Sequence, residues 1–69
     1  MTIKPGEYLT SFGKKAVVRY WGLIDPFNEG WSGNVEGYGH VDWHDDGSEI
    51  EGHFALNLIR PIFVEDYAI

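Results

Sequence analysis

Apolar residues fall along this chain in short runs that alternate with polar ones, and no stretch carries them at helical spacing. "GEYLTSF" (6–12) and "KAVVRYWGLI" (15–24) read as strands, and "DPFNEGWSGN" (25–34), with Pro, Gly and Asn, reads as a loop. "VEGYGHVDWH" (35–44) reads as a long strand and "SEIEGHFAL" (48–56) as its return. "PIFVEDY" (61–67) reads as a closing strand whose first position tolerates Pro61. The pattern predicts an all-β domain of five short antiparallel strands that close on themselves, because closure hides edges a small sheet would expose.

Asp46-Gly47 is a hairpin signal, since a type I′ turn needs positive φ at both central residues. A reversal there sets Trp43 opposite Ile50, His44 opposite Glu49, Asp42 opposite Glu51 and His40 opposite His53. Val41, Trp43, Ile50 and Phe54 then share the inner face. His40, Asp42, His44, Glu49, Glu51 and His53 share the outer one. A slip of one residue would put Trp43 against Glu49 and mix the faces. Val18, Trp43, Ile50, Phe54, Leu56, Leu58 and Phe63 are the expected core, and the tail "VEDYAI" (64–69) is expected either to seal the bottom of the barrel or to serve as an exposed docking peptide.

Sixty-nine residues make one small domain, residues 1–69, burying only about 60% of the surface its unfolded chain exposes. Starting at Met1 without an apolar leader or span, the chain is expected to be a complete, soluble, cytoplasmic product. The absence of cysteine excludes disulfides and thiolate metal sites.

The net charge of −6 is unevenly distributed. No Lys or Arg occurs from Tyr20 to Ile59, whereas Asp25, Glu29, Glu36, Asp42, Asp45, Asp46, Glu49 and Glu51 all fall there. Such a surface repels phosphate backbones and acidic lipid and attracts basic partners, so direct nucleic-acid or membrane binding is not expected.

Three imidazoles beside carboxylates raise two chemical readings. His40, Asp42 and His53 are the residue types that ligate zinc or nickel, but ligands on a flat strand pair diverge, and no cofactor is expected. An opposed Asp42/Glu51 pair would raise one carboxyl pKa, yet an open sheet wall excludes no water, so no catalytic residue is expected either. The favoured reading is a hydrated acidic face whose charge falls as imidazoles titrate near pH 6.5.

"VDWHDDGSEI" (41–50) resembles the hairpin of Tudor-like and other SH3-like barrels, where a Val-x-Trp strand runs into an Asp-Gly-Ser turn. "GHFALNLIRP" (52–61) is similar to the end of the mind-bomb-type SH3-like repeat, and "KAVVRYWG" (15–22) suits the first barrel strand. Together these cover about half the chain. The repeat's longer aromatic and Gly-containing insert has no counterpart here, so the resemblance implies an SH3-like barrel and not the repeat's ligand site. A Tudor-like cage is also implied, with Trp21, Trp31, Tyr38 and Trp43 as walls and Glu36 or Asp45 as rim, holding a methylated or cationic peptide by cation–π contact.

The expectation is a non-enzymatic binding module, monomeric or homodimeric. Glu36, Asp42, Asp45, Asp46, Glu49 and Glu51, with Trp31 and Tyr38, would contact a partner of basic surface. Its most specific form is a viral or mobile-element inhibitor that presents carboxylates in place of phosphates to a host nucleic-acid-binding protein.

Overall fold

The computed structural model describes residues 2–62. Five strands run β1 (Gly6–Thr10), β2 (Lys15–Asp25), β3 (Asn28–Val35), β4 (Gly39–Trp43) and β5 (Leu58–Pro61), with a 3₁₀ turn at Phe54–Leu56 before the last. They form one antiparallel sheet in the order β4-β3-β2-β1-β5. The all-β, five-stranded expectation holds, but the sheet is not closed. Its two ends come together where Leu58 N–H donates to Gly47 O at 2.9 Å, the Trp43 indole N–H donates to Leu56 O and Glu49 N–H donates to Asn57 Oδ1.

Two reversals share one device. Between Thr10 and Lys14, and again between His44 and Ser48, three residues turn the chain and the third is a glycine of positive φ (Gly13, +84°; Gly47, +92°). Each glycine N–H donates back three residues, to Thr10 O and His44 O, which makes a type I turn closed by a left-handed glycine. Asp46 itself does not take positive φ, because its carboxylate accepts the N–H and hydroxyl of Ser48 at 2.8 and 2.7 Å. The expected two-residue turn is therefore a three-residue one. The register slips by one, and Trp43 pairs with Glu49 rather than Ile50.

That slip ends the return strand expected over 48–56. Only the Trp43–Glu49 bridge forms, after which the chain curls through a turn at Glu51 and the 3₁₀ segment. Phe54, an expected core residue, is 78% exposed, since this short turn directs Leu56 inward instead. Ile50 is only half-buried. The loop expected at 25–34 is also corrected. Pro26 and Phe27 alone make the turn, and Asn28–Val35 is a strand whose glycines serve packing. A Cβ on Gly33 would lie 1.8 Å from Val17 O and one on Gly30 2.4 Å from Trp43 O. The strand expected at 35–44 begins only at Gly39, because Tyr38 N–H closes a turn onto Val35 O.

Ile3, Tyr8, Ala16, Val18, Val35, Val41, Trp43, Leu56 and Leu58 form the core, with Trp31 packed against it. Phe63, the tail 64–69 and most of the expected closing strand lie outside the described residues. Among the described residues no helix is long and apolar enough to cross a membrane.

Candidate functional site

The acidic side chains are positioned by β4 and the segment after it. On β4, Val41 and Trp43 turn inward, leaving His40 and Asp42 on the outer face. Asp42 is half-buried and fixed, its Oδ1 accepting the hydroxyl of Ser32, its cross-strand neighbour, at 2.6 Å. His40 Nε2 lies 2.9 Å from the same oxygen. Asp45, Asp46 and Glu51 are exposed just beyond. The Ser48 hydroxyl, then the Ser48 N–H, hold the Asp46 carboxyl below its ordinary value.

Glu49, expected outside among them, is buried at 7% exposure. The slip in register turns it inward, and its Oε1 accepts the N–H groups of Glu51 and His53, both at 2.9 Å. Its own N–H donates to Asn57 Oδ1 at 2.8 Å. Glu49 thus ties the post-β4 loop together and offers little to a partner.

The same slip divides the metal candidates. His40 pairs with Asp42, whereas His53 Nδ1 sits 3.5 Å from Glu49 Oε1. Asp42 faces Ile50, whose N–H it accepts, so the Asp42/Glu51 opposition is not made. The donor atoms that do converge belong to Glu49, Glu51 and His53, within 4.8 Å of one another. Since Glu49 Oε1 already holds two backbone N–H groups, that convergence is accounted for by the loop's own hydrogen bonds.

Glu36 and Tyr38 stand apart from this group. They precede Gly39, whereas Asp45 and Asp46 follow Trp43, and the four residue steps of β4 between them span about 13 Å. Glu36 N–H donates to Lys15 O, which places it beside the basic β1–β2 reversal. Tyr38 lines an open cleft of about 410 Å³ with Phe12, His53, Ala55 and Leu56. Sequence reasoning missed Phe12; its place just ahead of Gly13 in a tight reversal was the available signal.

Of the four expected cage walls, Trp21 and Trp31 stack edge to face, with centroids 5.3 Å apart and planes at 74°, and Trp31 is in turn the cross-strand partner of Trp43. Trp31 is on β3, not in a loop, and half-buried. Trp43 is fully buried and its indole N–H donates to Leu56 O at 2.8 Å, which makes it core. A shift of register between Val18 and Tyr20 changes the phase of β2, so Trp21 falls opposite Trp31 and Leu23 opposite Glu29. Beyond Val18, where β1 pairing begins, and Trp31, where β4 pairing ends, β2 and β3 continue as a two-stranded arm bearing exposed Trp21, Leu23 and Phe27. Comparison of the chain with family models, with curated proteins and with solved structures gives no match.

Proposed function

We propose that the chain is a non-enzymatic binding module of the SH3-like kind that takes a protein of basic surface on the carboxylates around the end of β4. The observation that carries this reading is charge segregation. Eight acidic residues and no Lys or Arg lie between Tyr20 and Ile59. Asp45, Asp46 and Glu51 among them are exposed near the half-buried Asp42. Each exposed ion pair contributes little, roughly 0–1 kcal/mol. Attraction therefore comes from the summed field, which steers and orients a cationic partner.

Asp46 and Asp42 suit the role because hydrogen bonds hold their carboxylates in place before any partner arrives. In the finer form of the proposal, this spaced row of carboxylates stands in for nucleic-acid phosphates on a host nucleic-acid-binding protein, as a small viral or mobile-element inhibitor would.

An arginine-rich peptide titrated into the full chain at low and at moderate ionic strength tests the proposal. Affinity should fall as salt is raised and fall again in Asp45→Lys/Asp46→Lys. Affinity indifferent to both would remove the charge-driven reading.

A further inference from the structure

The β2 edge over Tyr20–Asp25 is open. β1 pairs with β2 only from Val18 back to Lys15, and among the described residues no strand lies beside the rest. Exposed strand edges are ordinarily blunted by lysine, proline or a short length. This one carries Tyr20, Trp21, Leu23 and Ile24, with Tyr20 56% and Leu23 71% exposed. A two-stranded arm with both apolar surface and an unpaired backbone edge is marginal by itself.

The sequence along that edge, Arg19-Tyr20-Trp21-Gly22-Leu23-Ile24-Asp25, is complementary to its own reverse. When two copies run antiparallel about Gly22, Gly22 faces Gly22 once on the axis, while Trp21 facing Leu23, Tyr20 facing Ile24 and Arg19 coming to Asp25 each occur twice. Aromatic–aliphatic and opposite-charge neighbours are the favourable cross-strand pairs. A slip of one residue sets Arg19 against Pro26, Tyr20 against Asp25 and Gly22 against Leu23, so that the charge match is lost and only Trp21 against Ile24 remains as an apolar pair. Directly opposed residues share a face, so Trp21 and Leu23 of both copies join the Trp21–Trp31 pairs in one apolar cluster. The glycine at the two-fold axis brings no side chain into the closest approach.

We propose that this edge is a homodimer interface, in which β2 of one copy pairs antiparallel with β2 of a second about Gly22 and makes one sheet across both arms. The contact is isologous and closes on itself, so assembly stops at two. Because it uses the arm rather than the carboxylates around β4, it stands independently of the acidic-surface reading.

Sedimentation of the full chain over a wide concentration range tests this, together with amide exchange at low and high concentration. The expected result is a concentration-dependent species of twice 7.9 kDa, with the amides of Trp21 and Leu23, which point to the open edge while those of Tyr20 and Gly22 face β3, protected only in the dimer. Leu23→Glu, at an exposed position, should abolish it while leaving the urea midpoint of the dilute monomer unchanged. Arg19→Asp and Asp25→Arg should each weaken it at least tenfold, and their combination should restore it. Asp25 also holds the β2–β3 turn, but the combined variant carries the same turn change as Asp25→Arg, so recovery reports the charge pair alone. Three results overturn the proposal: a monomer at every concentration; a dimer indifferent to Leu23→Glu; or equal protection of the Trp21 and Leu23 amides in the dilute monomer, which would mean that the chain's own segments cover the edge.

Discussion

Trp43 and Glu49 stand opposite one another across the reversal that follows β4, and both are buried, the indole completely and the carboxylate to 7% exposure. The indole N–H reaches across to Leu56 O, so one side chain joins β4 to the chain entering β5. Trp43→Ala removes the largest fully buried side chain, at a cost of about 3–5 kcal/mol. A single small core without disulfides rarely supplies more than about that. Urea denaturation should therefore find Trp43→Ala largely unfolded in buffer. Trp43→Phe should remain folded but be weaker by roughly 1–3 kcal/mol, because Leu56 O is left without its donor.

Glu49 answers a different question, whether a carboxylate in an acidic segment serves binding or folding. Glu49→Ala strands the N–H groups of Glu51 and His53 and should destabilise by about 1–3 kcal/mol in urea. Glu49→Gln keeps an acceptor oxygen and should lose less. In the peptide titration Glu49→Gln should bind as the wild type does, whereas exposed Asp45→Lys should bind more weakly. A Glu49→Gln variant of full stability with binding as weak as Asp45→Lys would place Glu49 among the contacts after all.

The strands β1 and β2 were legible because their own runs of apolar and β-branched residues define them without reference to the rest of the chain. So was the inward Trp43, whose face follows from Val41 two residues earlier on the same strand. Glu49 was not legible, because its burial depends on whether the turn holds two residues or three. That choice was settled by hydrogen bonds from Ser48 to the Asp46 side chain, which composition does not report. The glycines of 25–34 misled for a related reason. Loop composition and close packing call for the same residue, and only the approach of Val17 and Trp43 backbone distinguishes them. The carboxylates around β4 were readable from charge alone, but their division from Glu36 and Tyr38 required knowing where β4 begins.

Gly33 supplies the sharpest test of the β2–β3 register. It lies opposite Val18, at the shift of phase in β2, and an added methyl would meet the Val17 carbonyl oxygen at 1.8 Å and its carbon at 2.9 Å. Both are backbone atoms and cannot swing aside. Gly33→Ala should cost about 1–3 kcal/mol or more in chemical denaturation. Gly22→Ala, whose nearest neighbours are Tyr20 ring atoms at 3.8 and 3.9 Å, should cost less than Gly33→Ala. Equal losses at the two sites would mean that the phase shift does not lie where Val18 and Gly33 place it.

Two exposed carboxylates link turn stability to acid pH. Asp25 is held below the ordinary value of 3.8 by the N–H of Phe27, then by the Asn28 side-chain amide and N–H; Asp46 is lowered by the Ser48 hydroxyl and N–H. A carboxyl whose folded value is depressed binds protons more readily in the unfolded chain. Its contribution is therefore complete above the unfolded value and is lost as pH falls through the lower, folded one. Asp25→Asn/Asp46→Asn keeps an oxygen acceptor at each turn but removes the charge. The melting temperature of the wild type should exceed that of the double variant at neutral pH, and the gap should close as pH falls below 3.8. A gap of the same size at neutral and strongly acid pH would show that these turns are held by shape alone, with no share of their stability linked to ionisation.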